Sequence, residues 1–413
     1  MIHHPPTKLL NKNFVKYLVA LEFNFMASAI LTFALPLYFL IHTGNATLLG
    51  TVLTISAIPQ VLTSPLGGVV GDRFSKRKLM AGANIISAIF TIIYLIVAGH
   101  LDFVPTLIVF LLLIESIVAL IGPAQEAAIP SLVPESDLMR ANSINFLLSI
   151  FSGVGSPIIA GLIMERHGLK PVLFIAIGLF LIAGVVNSFV GFPKVVQEDS
   201  PKNIFVILWN DLMAGFVFVM KKSKVHRKII LSLTLYNMIL WPIIGIFLPV
   251  VVTHYFQFGE SVNGIIRGIV IFGASFGVIV GDKLGDKANI FQLRRITIYS
   301  SATLIPAILP FLFFGANIFS LILLVAALFV VWTLFTVYVL IIWTYIGSET
   351  PFEHMSKVFA ITTAISAAGP IFSNQLYGWM MDIFMDSPYV VLVVIVVALG
   401  LVAMFTNVKK VDG

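Results

Sequence analysis

The chain has 413 residues, 59% of them hydrophobic and only 11% charged, with a formal net charge of +6 and no cysteine. Soluble domains carry about 25% charged residues, so this composition cannot furnish an ordinary aqueous surface, and disulfides and thiolate metal sites are excluded. Its basic excess reads as the Lys/Arg bias of cytoplasmic loops rather than as a nucleic-acid footprint.

Met1 to Asn13 holds no apolar core and so does not read as a signal peptide. Apolar runs then fall near 15–40, 47–70, 79–99, 104–127, 142–164 and 171–192. A second set lies near 229–253, 262–281, 296–315, 318–346, 358–380 and 388–406. No Asp, Glu, Lys or Arg occurs between Glu22 and Asp72, or between Arg295 and Glu349. Each interval holds two stretches of the roughly 20 residues that cross a bilayer as helix, parted by turns at Gly44-Asn45 and Gly315–Asn317. Hydrocarbon offers the backbone no water, so runs this long and this apolar are helices. The fold class is an all-α membrane protein with twelve transmembrane helices.

The longest polar connection, 193–228, divides the spans six and six. Within it Phe205, Leu208, Trp209, Leu212, Phe216 and Val219 recur at helical spacing, with Asn210 and Asp211 mid-stretch. That pattern predicts a helix lying in the interface, beside the basic patch Lys221–Lys228. A thirteenth span there would invert every later loop. The expected domains are 1–192, a cytoplasmic linker 193–228, and 229–413. With the N-terminus inside, 22 of the 25 Lys and Arg residues fall on the inner side, which sets both termini in the cytoplasm. Three echoes support a duplication. Gly67 to Arg73 is repeated at Gly277 to Lys283, Ser156-Pro157-Ile158 at Gly369-Pro370-Ile371, and the Pro134–Arg140 spacing at Pro351–Lys357.

Between the second and third runs stands Gly67-Gly68-Val69-Val70-Gly71-Asp72-Arg73-Phe74-Ser75-Lys76-Arg77-Lys78. It resembles the loop of the major facilitator superfamily with the pattern G-x-x-x-D-R-x-[GD]-[RK]-[RK]-[RK]. Gly68, Asp72, Arg73, Lys76, Arg77 and Lys78 match, while Ser75 replaces the usual Gly or Asp. The resemblance implies two parallel six-helix halves and an inner gate. In that gate Asp72 latches the inner N-terminus of span 11, where the helix end favours an acid. Gly68, Arg73, Arg77, Glu126 and Asp282 belong to the same expected gate.

Ionisable groups inside spans default to functional candidates: Glu22, Glu115, Glu126 and Arg267. In the superfamily spans 1, 4, 7 and 10 line the central cavity, so the resemblance puts Glu22 and Glu115 on the substrate path as proton-coupling candidates. Hydrocarbon favours the neutral form of an acid, so such a group can load a proton from one side and release it to the other. The plainer alternative is a protonated Glu115 hydrogen-bonded to a neighbouring helix. Many relatives carry Arg near that position, so the usual Arg role does not transfer. Arg267 either pairs with an acid or snorkels outward.

Asn24, Asn237, Trp241, Trp332, Phe335 and Tyr338 are the expected substrate-cavity residues, since aromatic walls suit bulky, partly cationic amphiphiles; lipid-facing bulk is the alternative. Gly155, Ser156, Pro157 and Gly161 look like a degenerate form of the exporter motif G-x-x-x-G-P-x-x-G-G. Together with Gly369 and Pro370 they are expected to serve close helix packing. The run Gly122 to Pro134 followed by Arg140-Ala141-Asn142 resembles the bacterial macrolide-efflux and enterobactin-exporter branch. What this implies is proton-coupled export of amphipathic compounds by a monomer in the bacterial cytoplasmic membrane. A lipid flippase or an importer on the same fold is the alternative. Neither D-D-x-x-D nor G-x-x-x-x-G-K-[ST] is present, so no enzyme, metal, cofactor or nucleic-acid partner is expected. The expected partners are a small amphipathic substrate, protons and the bilayer.

Overall fold

A computed structural model of the chain describes residues 8–73, 75–126, 128–192, 213, 217–219, 224–284, 289–350 and 352–406. The regular structure in these residues is helical, as an apolar surround requires of a backbone that must satisfy itself. Six long helices come first: α1 (Lys12–Thr43), α2 (Ala46–Arg73), α3 (Lys76–Val97), α4 (Phe103–Glu126), α5 (Leu138–His167) and α6 (Leu169–Ser188). Next is α7 (Lys224–Pro242), extended by Ile243–Phe247, Leu248–Val250 and Val251–Tyr255. Then follow α8 (Glu260–Leu284), α9 (Leu293–Phe314), α10 (Ile318–Glu349), α11 (Phe352–Ile383) and α12 (Pro388–Phe405). Among the described residues, 11 of these segments are long and apolar enough to cross a membrane. Helix α11, 32 residues long, is the remaining long one. The expected spans and these helices coincide in order and place. The interfacial helix expected across 204–220 falls mostly outside the described residues.

The uncharged turns are built as their residues suggest. Gly44 and Gly315 have φ of 60° and 61°, a conformation glycine enters without steric cost. The Asn45 side chain accepts the Leu48 amide at 2.7 Å, and Asn317 accepts that of Phe319 at 3.0 Å. Each asparagine thereby satisfies a donor that the first helical turn leaves open. Beyond Pro242 the backbone of the seventh span runs through two π turns, closed by Leu248 N to Ile243 O and by Phe256 N to Val251 O. Prolines remove helix donors, and the wider turns restore pairing around Pro242 and Pro249.

The chain forms two compact units, Met1–Tyr38 with Ile55–Trp209, and Phe39–Thr54 with Asn210–Gly413. The α1–α2 turn thus groups with the second unit, where a split at 193–228 would leave it in the first. In the second unit α8 lies against α10 along Gly273, Gly277 and Gly281. A Cβ at Gly273 would collide with the Phe329 carbonyl, and one at Gly277 would lie 2.5 Å from the Thr333 carbonyl oxygen. Thr333 Oγ1 donates to the Gly273 carbonyl at 2.8 Å. The echo of residues 67–73 at 277–283 therefore also carries a packing stripe of small residues spaced four apart.

Candidate functional site

Polar side chains in the first unit meet along α1. Ser152 of α5 donates to a carboxyl oxygen of Glu22 at 2.5 Å. Asn24 stands two residues on, roughly 200° around the helix, and turns toward other neighbours. It is 5% exposed. Its Nδ2 donates to Asn84 Oδ1 of α3 at 2.7 Å, and Gln125 of α4 donates to its Oδ1 at 3.3 Å. Asn84 in turn donates to the Met80 carbonyl at 2.8 Å, and Tyr17 to the Gln125 carbonyl at 2.7 Å. Asn24, expected in the substrate cavity, is thus occupied in a buried amide network that ties α1, α3 and α4. Neither Asn84 nor Gln125 was anticipated. Their signal, an uncharged amide inside an apolar run, is weaker than that of a charge.

Glu115 sits mid-way along α4 and is half-buried. Among the described residues no hydrogen bond or ion pair reaches its carboxyl. It stays apart from the Glu22–Ser152 pair in the contacts made, so the two acids have different settings: one held by a hydroxyl, the other unengaged. Arg267 lies within α8, half-buried. No cluster of three or more His, Cys, Asp or Glu that could hold a metal occurs among the described residues.

The expected cavity residues of the second unit divide. Trp241, at the end of α7, is 50% exposed, and Asn237 is half-buried with its Nδ2 directed at the Ser366 carbonyl at 3.4 Å. Trp332, Phe335 and Tyr338 are buried together instead. Tyr236 meets Phe335 and Tyr338 edge-on, with ring centroids 5.4 and 4.5 Å apart, and Trp332 tilts against Phe335 at 6.2 Å. Tyr338 donates to Ser232 Oγ at 2.8 Å, and the Tyr236 hydroxyl pairs with that of Ser300 at 2.5 Å. Edge-to-face rings with satisfied hydroxyls hold α7, α9 and α10 together. These three side chains, expected to line the substrate cavity, pack against one another and against Tyr236.

Of the expected inner gate, Gly68, Asp72 and Arg73 lie in the last turns of α2 and Glu126 ends α4. The side chains of these four lie outside the described residues. Arg77 is exposed near the start of α3, and Asp282 is exposed near the end of α8. Among the expected packing residues, a Cβ at Gly369 would lie 2.7 Å from the Thr234 carbonyl oxygen, so α11 approaches α7 closely there. A Cβ at Gly155 would meet nothing within 4 Å. Ser156, Pro157 and Gly161 are buried in α5, and Pro370 is half-buried in α11. A cleft of about 410 Å³ opens among Tyr38, Tyr94, His100, Phe103, Lys170 and Leu173 in the first unit; none of the expected site residues lines it.

Residues 18–374 match the family described as Major Facilitator Superfamily. Macrolide efflux protein A of Streptococcus pyogenes is 29% identical over 282 residues, 67% of this chain and 66% of that protein. The matched part is thus just under two thirds of that relative's length. The multi-drug resistance efflux pump PmrA of Streptococcus pneumoniae is 24% identical over 271 residues, 61% of this chain and 60% of the other. A solved structure of a D-xylose–proton symporter superposes with a TM-score of 0.72 at 15% identity, covering 97% of this chain and 98% of that one. This last likeness speaks to the fold alone.

Proposed function

Because the chain belongs to the major facilitator superfamily, we propose that it is an exporter that expels amphipathic compounds from the cytoplasm in exchange for protons. Membership makes it a multi-pass membrane transporter. The similarity to two efflux proteins supports outward transport. The observation that carries proton coupling is the half-buried Glu115 carboxyl in the middle of α4, which no hydrogen bond or ion pair reaches among the described residues. A carboxylate at the bilayer centre costs on the order of 3 kcal/mol, and it recovers this by taking up a proton or a cationic substrate group. The two cannot be held at once. A proton entering from outside displaces the substrate outward, and a substrate binding from inside displaces the proton inward.

Glu22 is the second coupling candidate, its carboxylate steadied by the Ser152 hydroxyl. Trp241 and Asn237 are the second unit's candidates for contact with an aromatic or amide-bearing substrate. Both termini are proposed to be cytoplasmic, in a monomer of the bacterial cytoplasmic membrane, with halves 1–192 and 229–413 joined by 193–228. Asp72, with Gly68, Arg73, Arg77, Glu126 and Asp282, is proposed as the inner gate. Everted vesicles with an acidified lumen test the reading. They should accumulate ethidium or erythromycin in a protonophore-sensitive manner, and Glu115→Gln should abolish the gradient-driven part. Accumulation indifferent to the pH gradient would refute coupling.

A further inference from the structure

The cleft of about 410 Å³ in the first unit takes no part in the transport reading, and its chemistry differs from that of the spans around it. It gathers Tyr38 of α1, the end of α3, Phe103 at the start of α4 and the start of α6. Helix α6 opens on Gly168, with φ of 74°, which has no side chain to accept the first-turn amides. Their partial positive charge is left uncapped. Lys170 stands in that turn, exposed, and no ion pair engages it among the described residues. His100 adds an exposed imidazole, while the nearby acid Asp102 does not line the cleft. Tyr94 is 2% exposed, and its hydroxyl has no hydrogen-bond partner among the described residues. A buried phenol ordinarily donates to an acceptor. The cleft thus offers a cation, free amides and a buried donor, which together suit an anion.

Beside it, between α3 and α4, runs a groove of about 350 Å³ lined by Ile93, Val97, Pro105, Val109, Phe110 and Leu113. Tyr94 borders both, its ring stacked on Phe110 at a centroid distance of 4.5 Å. No charged side chain lines the groove, and Ile93 and Val109 on its wall are exposed. A cationic, donor-lined cleft that continues into an apolar groove matches an amphiphile with an anionic head and hydrocarbon tails. A soluble anion would leave the groove without a role. We propose that this feature binds an anionic phospholipid of the surrounding bilayer. Its phosphodiester meets Lys170, the Tyr94 hydroxyl and the first turn of α6, and an acyl chain lies along the α3–α4 groove. Basic side chains at span ends hold anionic headgroups in this way. With the N-terminus inside, Arg166 and Lys170 are the only bases in the outer connections, so Lys170 stands against the usual bias, and the lipid belongs to the outer leaflet. The proposal rests on membership of a membrane family and not on the efflux reading.

Calorimetric titration of the detergent-purified full chain with dihexanoylphosphatidylglycerol, a soluble short-chain lipid, tests this. It should bind at one site, about fivefold more tightly than dihexanoylphosphatidylcholine, whose head carries no net charge. Lys170→Gln should weaken the phosphatidylglycerol about fivefold, the effect of one base near an anionic head. Tyr94→Phe keeps the ring on Phe110 and removes only the donor, so it should weaken binding about tenfold. Both changes are mild enough to leave folded protein. Glycerol 3-phosphate, the head without tails, should bind at least a hundredfold more weakly, since burying about four methylenes supplies that difference. Equal affinity for the two lipids, or unchanged affinity in either variant, would overturn the site. Glycerol 3-phosphate binding as tightly as the lipid would assign the cleft to a soluble phosphate ester and overturn the lipid. The titration reads binding alone, so its outcome is separate from whether the chain moves ethidium or erythromycin.

Discussion

The two units solve the same problem, polar groups inside an apolar bundle, with different chemistry. The first joins α1, α3 and α4 through the amides of Asn24, Asn84 and Gln125 and keeps two acids, Glu22 and Glu115, in the middle of its spans. The second joins α7, α9 and α10 through phenols paired with serines. Its acids, such as Glu260, Asp282, Glu349 and Asp382, stand at helix ends. Acids in the middle of the long apolar helices therefore belong to the first unit, and the second packs its helices through a frame of aromatic rings and phenols. On the proposed mechanism the proton is handled within the first unit.

The hardest test of the frame is Gly277→Val. Its added carbons would strike the Thr333 carbonyl and Thr336 at the α8–α10 stripe, and overpacking at a backbone contact should cost about 3 kcal/mol. Loss of monodisperse protein on mild heating in detergent would register it; unchanged heat resistance would mean that the stripe is slack. Next in size, Glu115→Gln should leave heat resistance alone and lower gradient-driven efflux about a hundredfold, equivalent to about 2.7 kcal/mol. Everted-vesicle uptake measures the rate. An equal loss in stability would blur the contrast, since Glu115 would then be part of the first unit's scaffold.

Much of this architecture is legible in the residues. Charge-free intervals place the spans because each charge in hydrocarbon is costly, and Gly44-Asn45 and Gly315–Asn317 mark turns because few other residues enter those conformations and cap the next helix. The interior is read less well. Trp332, Phe335 and Tyr338 recur at helical spacing, so the sequence puts them on one face of α10. What that face meets depends on Tyr236, Ser232 and Ser300, some 35 to 100 positions away, and no local pattern reports it. Asn84 and Gln125 escaped notice for a related reason: an uncharged amide in an apolar run is conspicuous only once its partner is known. The π turns of the seventh span follow from Pro242 and Pro249 only after the helix is known to continue past them.

A smaller effect probes the amide network. Asn84→Ala removes the acceptor of Asn24 Nδ2 and strands a buried donor, at a cost of about 2 kcal/mol. Denaturation in detergent should show the loss, and gradient-driven efflux per folded molecule should hold. If efflux falls while stability does not, Asn24 returns to the substrate path.

The smallest effect bears most directly on the aromatic frame. Tyr338→Phe keeps the ring against Tyr236 and deletes only the hydroxyl that donates to Ser232. Ser232 retains its own bond to the Ile229 carbonyl at 2.7 Å, so no donor is stranded and the loss should be about 1 kcal/mol. A side chain that only packs should leave the apparent KM for ethidium within about twofold, because uniform binding of substrate is what a KM change reports. A several-fold rise in KM with heat resistance intact would mean that Tyr338 faces the substrate in another state of the cycle. Tyr338 would then join Trp241 and Asn237 in the recognition of cargo, and the aromatic frame would be part of the substrate path as well as of the packing.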